Sequence, residues 1–144
     1  MEKEVLQGHQ VACSAFIEKG GKFLAVFDPG FRVWRVPGGR PEWGETVEET
    51  LIREMREETS IQFEQPRFLG FGQDQQFHIV RNKETSRVVL YFHVKTDKEP
   101  LLDPEEAQDH RWVSLEEMKK LNPIEGALVD FFQRFPDAEK QLND

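Results

Sequence analysis

The sequence predicts an α/β fold in which a mixed β-sheet carries helices on both faces. Strand-like segments are interleaved with three segments of helical periodicity, and hairpin turns join some of the strands. Elements in this order are typical of helices packed on a mixed sheet. At 144 residues the chain has the commonest domain size, so we expect a single domain over residues 1–144.

The first elements predict a β-hairpin. Residues 9–18 and 22–27 form its strands, and the two glycines between them supply the positive φ of a tight turn. A Pro-Gly turn ends the second strand, and residues 31–36 then form a short extended piece. We expect Trp34 of this piece to lie in the core.

The central helix begins at a capping box. Thr46 and Glu49 are three residues apart, so their side chains can satisfy backbone donors at a helix start. One arc of this helix carries apolar residues at helical spacing and is expected to face the core. Its members are Val47, Leu51, Ile52 and Met55.

Three carboxylates of this helix are placed unfavourably for stability. Glu54 and Glu58 project onto or beside the apolar arc, with Glu57 on its flank, and only Glu57 has a basic residue one turn away, Arg53. Glu57 and Glu58 also lie in the last turn, where the helix dipole disfavours anions by roughly 0.3–1 kcal/mol. We expect these like charges to face one another without a neighbouring cation to offset them. A hard divalent cation, Mg²⁺ or Mn²⁺, would offset the repulsion, although a solvated acidic face is the plain alternative.

The next segments predict two long strands. Residues 66–80 form one strand, or two with a polar kink at 72–76, and a turn follows at 81–83. Residues 86–95 alternate between two sets of side chains, so we expect one face of this strand to pack and the other to face a cleft.

The C-terminal third predicts a short strand and two helices. An acidic loop at 99–106 precedes a strand at 108–113, and Ser114 with Glu117 forms a second capping box for a helix that ends near Leu121. Asn122-Pro123 is expected to cap a final helix. Its apolar stripe, expected in the core, contains Ile124, Leu128, Phe131, Phe132 and Phe135.

Composition narrows the class of protein. The formal net charge of −8 argues against non-specific binding to nucleic acid or anionic membrane, since both need a basic face. Cys13 is the only cysteine, so a reducing compartment and a buried, unpaired thiol are expected. Because no apolar run is long enough to span a bilayer, we expect a cytoplasmic protein.

The loop before the central helix suits close contact with a ligand. Pro37, Gly38 and Gly39 let the backbone bend and approach a bound group, with a carbonyl available to a cation. Arg40 is available to a phosphate, the alternative being a solvated loop charge.

Loop and helix together form one motif. Five residues separate Gly39 from Glu45, and seven separate Glu45 from Arg53. The run Arg53-Glu54-Met55, the pair Glu57-Glu58 and the pair Ser60-Ile61 then follow, with one residue between each of these groups. This pattern resembles the Nudix box of the Nudix hydrolases, with Ser60 in place of the usual glycine. Such a match arises by chance in roughly one sequence in 10⁵. A serine in a left-handed helix end costs about 1 kcal/mol, so the departure concerns the helix end more than the chemistry.

The resemblance implies an α/β/α sandwich and the hydrolysis of a diphosphate bond in a nucleoside diphosphate derivative, with Mg²⁺ or Mn²⁺. By position in the box, Glu57 and Glu58 are expected as metal ligands and Glu54 as metal ligand or general base. The Gly38 carbonyl is expected as a further oxygen ligand.

The same resemblance implies supporting residues. Arg53 and Glu45 are expected to support the ligands of the metal cofactor, and Arg53 is expected to orient their carboxylates. Arg40 is the candidate phosphate contact. In this family a carboxylate from a later loop often joins the metals or acts as base. Glu106 is the best candidate here, followed by Glu105.

The substrate is less closely defined. Residues 105–118 resemble small Nudix nucleoside triphosphatases, so we expect a nucleoside triphosphate that yields NMP and pyrophosphate. A nucleotide sugar such as ADP-ribose and a non-catalytic nucleotide-binding module are the alternatives, and the intact carboxylates weigh against the module. No nucleic acid or membrane partner is expected, and a homodimer is left open.

Aromatic rings offer further contacts in the expected cleft. Strand histidines are more often structural than functional, and this applies to His78 and His93. Candidate rings for stacking on a base, among 12 phenylalanines that are mostly core, are Phe27, Phe31, Phe71 and Phe77.

Overall fold

The computed structural model describes residues 8–63, 65–101 and 109–143. The strands in these ranges are β1 (Gln10–Lys19), β2 (Lys22–Asp28), β3 (Val33–Arg35), β4 (Gly38–Gly39), β5 (Arg67–His78), β6 (Lys83–Lys95) and β7 (His110–Val113). The helices are α1 (Val47–Thr59), α2 (Leu115–Lys119), α3 (Gly126–Arg134) and α4 (Pro136–Asn143).

The described strands form one mixed sheet, as predicted. Its main path has the order β3-β2-β1-β6-β5, while β4 pairs with β1 and β7 pairs with β2. β1 and β6 run parallel, whereas the other pairs are antiparallel. The predicted hairpin is confirmed as β1 and β2, whose turn glycines both have positive φ.

Helices cover both faces of this sheet. On one face, Leu51 and Met55 of α1 pack with Cys13 and Ile17 of β1, and all four side chains are fully buried. Burial raises the pKa of the Cys13 thiol to about 11, which suits the expected unpaired, buried thiol.

The opposite face is covered by the C-terminal helices. Phe16 of β1 contacts Phe131 and Phe132 of α3, with ring centroids 5.7 and 6.0 Å apart. Met118 of α2 and Leu142 of α4 belong to the same buried cluster. The predicted α/β fold with helices on both faces is therefore confirmed.

Both faces of β6 pack along most of the strand, and the face predicted to look into a cleft does so at Arg87, while Val89 and Tyr91 are buried. Leu90 and Phe92 belong to the apolar cluster that α1 covers, while Val89 and Tyr91 belong to the cluster that the C-terminal helices cover. The cause is the central position of β6, between β1 and β5, where helices cover the sheet above and below.

Helix α1 begins and ends as its sequence predicts. Thr46 is the N-cap and forms the reciprocal capping box with Glu49. Ser60 has φ 59° and ψ 13°, the left-handed conformation expected where the motif usually has glycine. Ile52 was expected on the buried arc but is 38% exposed, because the buried face runs through Leu51 and Met55 to Glu58 instead.

The β5–β6 hairpin differs from its predicted bounds. β5 is one strand with a bulge between Phe68 and Gly70, so the alternative of two strands with a kink at 72–76 was wrong. The turn lies at 79–82, and β6 begins at Lys83, earlier than the predicted residue 86.

The C-terminal helices also begin differently. The final helix was expected to start at Asn122-Pro123, but α3 starts at Gly126. The backbone groups of residues 123 and 125 hydrogen-bond to Trp34 of β3, at 2.8 and 2.9 Å, and so cannot join a helix. α4, which begins at Pro136, was not predicted. Within the described residues, none of the helices has the length and apolar character needed to cross a membrane.

Candidate active site

A cleft of about 1050 Å³ lies where α1, β4 and the turns that follow β2 and β5 meet. Most of the residues singled out in the sequence line this cleft: Gly38, Arg40, Arg53, Glu54 and Glu58. The loop and the helix of the motif therefore meet at one cavity.

Strand β4 passes very close to its neighbours, and its two glycines permit this. A Cβ on Gly38 would lie 2.2 Å from the Cys13 carbonyl oxygen and 2.6 Å from the Ser14 Cα atom. A Cβ on Gly39 would lie 2.2 Å from the Cδ atom of Glu54. The Glu54 carboxylate thus rests directly against the β4 backbone, with no side chain between them.

Glu58 is the buried carboxylate of the site, with only 7% of its surface exposed. The backbone N–H of Gly38 donates to its Oε2 atom at 3.1 Å. Arg35 of β3 approaches its Oε1 atom at 3.7 Å. Burial of a carboxylate is costly unless it is paired and hydrogen-bonded; Arg35 supplies the ion pair and Gly38 the hydrogen bond.

Asp28 fixes Arg35 in this position. The Arg35 Nε atom donates to Asp28 Oδ2 at 2.8 Å, and the backbone N–H groups of Gly30 and Phe31 donate to Oδ1 at 2.7 and 2.9 Å. Burial alone would raise the pKa of Asp28, but Arg35 and these backbone donors hold it below its ordinary value. Burial would likewise lower the pKa of Arg35, yet Glu58 and Asp28 raise it.

Arg53 joins the remaining carboxylates of the motif. Its Nε and Nη2 atoms donate to Glu45 at 2.7 and 2.9 Å, and its Nη1 atom donates to Glu54 at 2.8 Å and Glu57 at 3.2 Å. The Nη2 atom also donates to the Arg40 carbonyl at 3.1 Å, which ties the loop to the helix. The hydrogen bond from Arg53 lowers the pKa of Glu45 to about 2.

These contacts correct one expectation. We expected Glu54 and Glu58 to face each other without a nearby cation, and this was wrong. Arg53 pairs with Glu54 although the two are adjacent in sequence, and Arg35 reaches Glu58 from another strand. Helix spacing rules consider only residues three or four apart, so they miss both pairs.

The donor set fits a hard divalent cation, which takes carboxylate and carbonyl oxygens. Glu54 and Glu58 both lie against the β4 backbone. Glu57 is 48% exposed and does not line the cleft. Within the described ranges, no three His, Cys, Asp or Glu side chains are arranged to hold a metal ion as they stand. Metal binding would therefore draw the carboxylates away from part of their arginine contacts.

Some predicted residues lie elsewhere. Glu106 and Glu105 fall in 102–108, outside the described residues. His93 is buried, accepts from Arg67 at 2.9 Å and contacts Glu18 Oε1 through Nε2 at 2.8 Å, away from the cleft. His78 does line the cleft.

Of the four candidate stacking rings, only Phe31 lines the cleft. Phe27 packs on Trp34, with ring centroids 5.5 Å apart, and Phe71 packs on Phe135 at 5.3 Å. Phe77 lies 48% exposed. Among these four candidates, Phe31 is therefore the ring that a ligand in this cleft could reach.

Sequence reasoning missed a buried ionic cluster at the inner wall of the cleft. Arg87 of β6 donates two hydrogen bonds to Asp74, at 3.0 and 2.7 Å, and one to Glu125 at 3.1 Å. Tyr91 donates to Glu125 at 2.5 Å, and the Arg87 guanidinium lies over the Phe31 ring. One signal was present, since an arginine in an otherwise apolar strand needs a buried partner.

The chain is similar to proteins of one known family. The family model described as "NUDIX domain" matches residues 8–135. The chain is 30% identical over 123 residues to "Phosphatase NudJ" of Shigella boydii, covering 83% of this chain and 76% of that protein. It is 31% identical over 112 residues to "Nucleoside diphosphate-linked moiety X motif 6" of Xenopus laevis, covering 68% of this chain.

The Xenopus protein is longer, and the match spans only about half of it, 52%. Among solved structures, the MutT protein from Methanosarcina mazei Go1 superposes with a TM-score of 0.78 at 23% identity. That superposition covers 95% of this chain and 99% of the MutT chain. At this identity the likeness concerns the fold alone.

The two β4 glycines should respond differently to alanine. Gly38→Ala forces a Cβ against backbone atoms of β1, so we expect the free energy of unfolding to fall by about 1–3 kcal/mol. Gly39→Ala meets only the end of the Glu54 side chain, which can rotate away, so we expect a loss below about 1 kcal/mol. Urea denaturation of both variants measures the difference.

Neither glycine has a positive φ, so alanine strains the backbone at neither position and the two losses report on side-chain space. If both variants lost the same free energy of unfolding, β4 would not lie as close to β1 as described.

Proposed function

The chain belongs to the Nudix family of hydrolases, and we propose that it is a divalent-metal-dependent pyrophosphohydrolase that converts a nucleoside triphosphate to NMP and pyrophosphate. One observation carries this proposal. The carboxylates of Glu54 and Glu58 lie against the Gly38–Gly39 backbone inside a cleft that is large enough for a nucleotide.

Nudix hydrolases generally use divalent metals, usually Mg²⁺. We assign Glu54, Glu57, Glu58 and the Gly38 carbonyl as the groups that would hold such an ion, or Mn²⁺ in its place. When bound, the ion would neutralise charge on the non-bridging phosphate oxygens and lower the pKa of a water molecule.

The protein side chains have three tasks in this proposal. Glu54, beside Gly39, accepts a proton from the attacking water, or acts as a metal ligand while Glu106 accepts the proton. Arg53 and Arg35 hold the carboxylates in place, which the hydrogen bonds and ion pairs of these arginines support. Arg40, on the loop that follows β4, contacts a substrate phosphate.

The substrate assignment rests on the sequence. Residues 105–118 resemble small Nudix nucleoside triphosphatases, and ADP-ribose is the alternative substrate. The two differ in the number of phosphates, because a triphosphate has a third phosphate where ADP-ribose has a sugar. A non-catalytic nucleotide-binding module is the alternative of a different class.

A substrate panel tests the function directly. The wild-type protein with saturating Mg²⁺ is incubated with ribo- and deoxynucleoside triphosphates and with ADP-ribose, and the products are separated by chromatography. We expect NMP and pyrophosphate from at least one triphosphate, with kcat/KM at least about tenfold above that for ADP-ribose, a difference near 1.4 kcal/mol.

Two outcomes would redirect the assignment. Preferential cleavage of ADP-ribose would identify a nucleotide-sugar pyrophosphatase. Absence of turnover on every member, together with tight binding of one of them, would identify the non-catalytic module.

The assigned carboxylates can be tested one at a time. Glu58→Gln and Glu54→Gln keep the side-chain size but remove the charge, so we expect turnover at saturating Mg²⁺ to fall by about 10²–10⁴-fold. The measurement is kcat on the best substrate of the panel, with circular dichroism to establish that each variant is folded.

Glu48→Gln is the matched control, because Glu48 is exposed in the first turn of the same helix. We expect it to stay within about twofold of the wild type, as exposed surface substitutions usually have small effects. If the Glu54 and Glu58 variants both retained near wild-type kcat, the assignment of these carboxylates would be wrong.

A further inference from the structure

The arginines of the cleft fall into two groups. Five arginines line it: Arg35, Arg40, Arg53, Arg81 and Arg87. Three of these have carboxylate partners within 4 Å, namely Arg35, Arg53 and Arg87. The guanidinium groups of Arg40 and Arg81 form no ion pair and no hydrogen bond with the residues that the structure describes. Two cations of the cleft thus remain available to a ligand.

These two arginines come from different elements. Arg40 directly follows Gly39, the residue that contacts the Glu54 carboxylate, so it lies next to the proposed metal-binding groups. Arg81 lies in the turn between β5 and β6. Both side chains border the same cleft, and both are exposed to solvent there.

His78 and Gly30 fix the turn that carries Arg81. The backbone N–H of Arg81 donates to His78 Nδ1 at 3.1 Å, and the backbone N–H of Ile79 donates to the Gly30 carbonyl at 2.9 Å. A Cβ on Gly30 would lie 2.1 Å from His78 Nε2, so the imidazole lies against bare backbone. The Phe31 ring meets the imidazole edge-on at 4.7 Å. The position of Arg81 is thereby tied to the β2–β3 turn.

Electrostatics favours an anion between these arginines. Arg40 and Arg81 carry like charges at one cleft, so they repel each other. The chain has 27 acidic residues and 19 basic residues, yet the described carboxylates leave these two unpaired. Phosphate oxygens match guanidinium geometry and would offset the repulsion.

We propose that Arg81, together with Arg40, binds the terminal phosphate of a substrate with three or more phosphates. This assignment rests on the proposed pyrophosphohydrolase function and specifies its substrate class. The carboxylates of α1 hold the part of the phosphate chain that reacts, and the two arginines hold the part that extends beyond it. A nucleotide sugar with two phosphates has no anionic group to place between them.

Equilibrium binding can test this role without turnover. The probes are α,β-methylene-ATP and α,β-methylene-ADP, in which the bond that the proposed reaction breaks is replaced, with Mg²⁺ present and calorimetry as the readout. We expect the wild type to bind the triphosphate analogue at least about tenfold more tightly than the diphosphate analogue. In Arg81→Gln this preference should fall to about twofold or less, with affinity for the diphosphate analogue nearly unchanged.

Arg56→Gln is the control, because it removes the same charge from an exposed position of α1 that does not line the cleft. It should retain the wild-type preference. The proposal would be overturned if Arg81→Gln kept the tenfold preference, if it weakened both analogues equally, or if the wild type showed no preference.

Failure of this inference can be separated from failure of the proposed function. A wild type that hydrolyses triphosphates while Arg81→Gln keeps its preference would refute only the role of Arg81. A wild type that prefers the triphosphate analogue through Arg81 but hydrolyses no substrate would refute only the catalytic function.

Discussion

The contact between the Glu58 carboxylate and the β4 backbone is the interaction on which the rest of the site depends. It holds the acidic end of α1 against β4. This strand lies so close to β1 that only glycine fits at position 38. A buried carboxylate needs a positive partner, which Arg35 supplies. Asp28 forms an ion pair with Arg35 and so fixes its position. One buried charge thus organises three separate segments of the chain around the cleft.

The cleft divides its charges in a way that suits a phosphate chain. Arg53 and Arg35 are paired with carboxylates, so in the proposed function they position acidic groups rather than attract substrate. Arg40 and Arg81 have no such partners among the described residues and can meet an anion. In the proposed function, these two arginines would let an acidic protein bind an acidic substrate, because they offer positive charge that its own described carboxylates do not neutralise.

Local patterns in the sequence predicted much of the fold and of the site, because caps, glycine turns and helical periodicity act over a few residues. The capping box of Thr46, the left-handed Ser60 and the glycine turn between β1 and β2 are of this kind. Long-range pairs were missed: the contact from Arg35 to Glu58 joins two elements, and no spacing rule reports it. The late start of α3 has the same origin, since residues 123 and 125 hydrogen-bond to a distant strand.

The central claim is that the acidic end of α1 binds a divalent cation between its carboxylates and β4. The most direct measurement is a crystal structure with saturating Mn²⁺, in which anomalous scattering identifies the ion. The account predicts Mn²⁺ within about 2.0–2.3 Å of oxygens from Glu54, Glu57 or Glu58. Crystals in which these carboxylates keep their arginine contacts and bind no Mn²⁺ would contradict it.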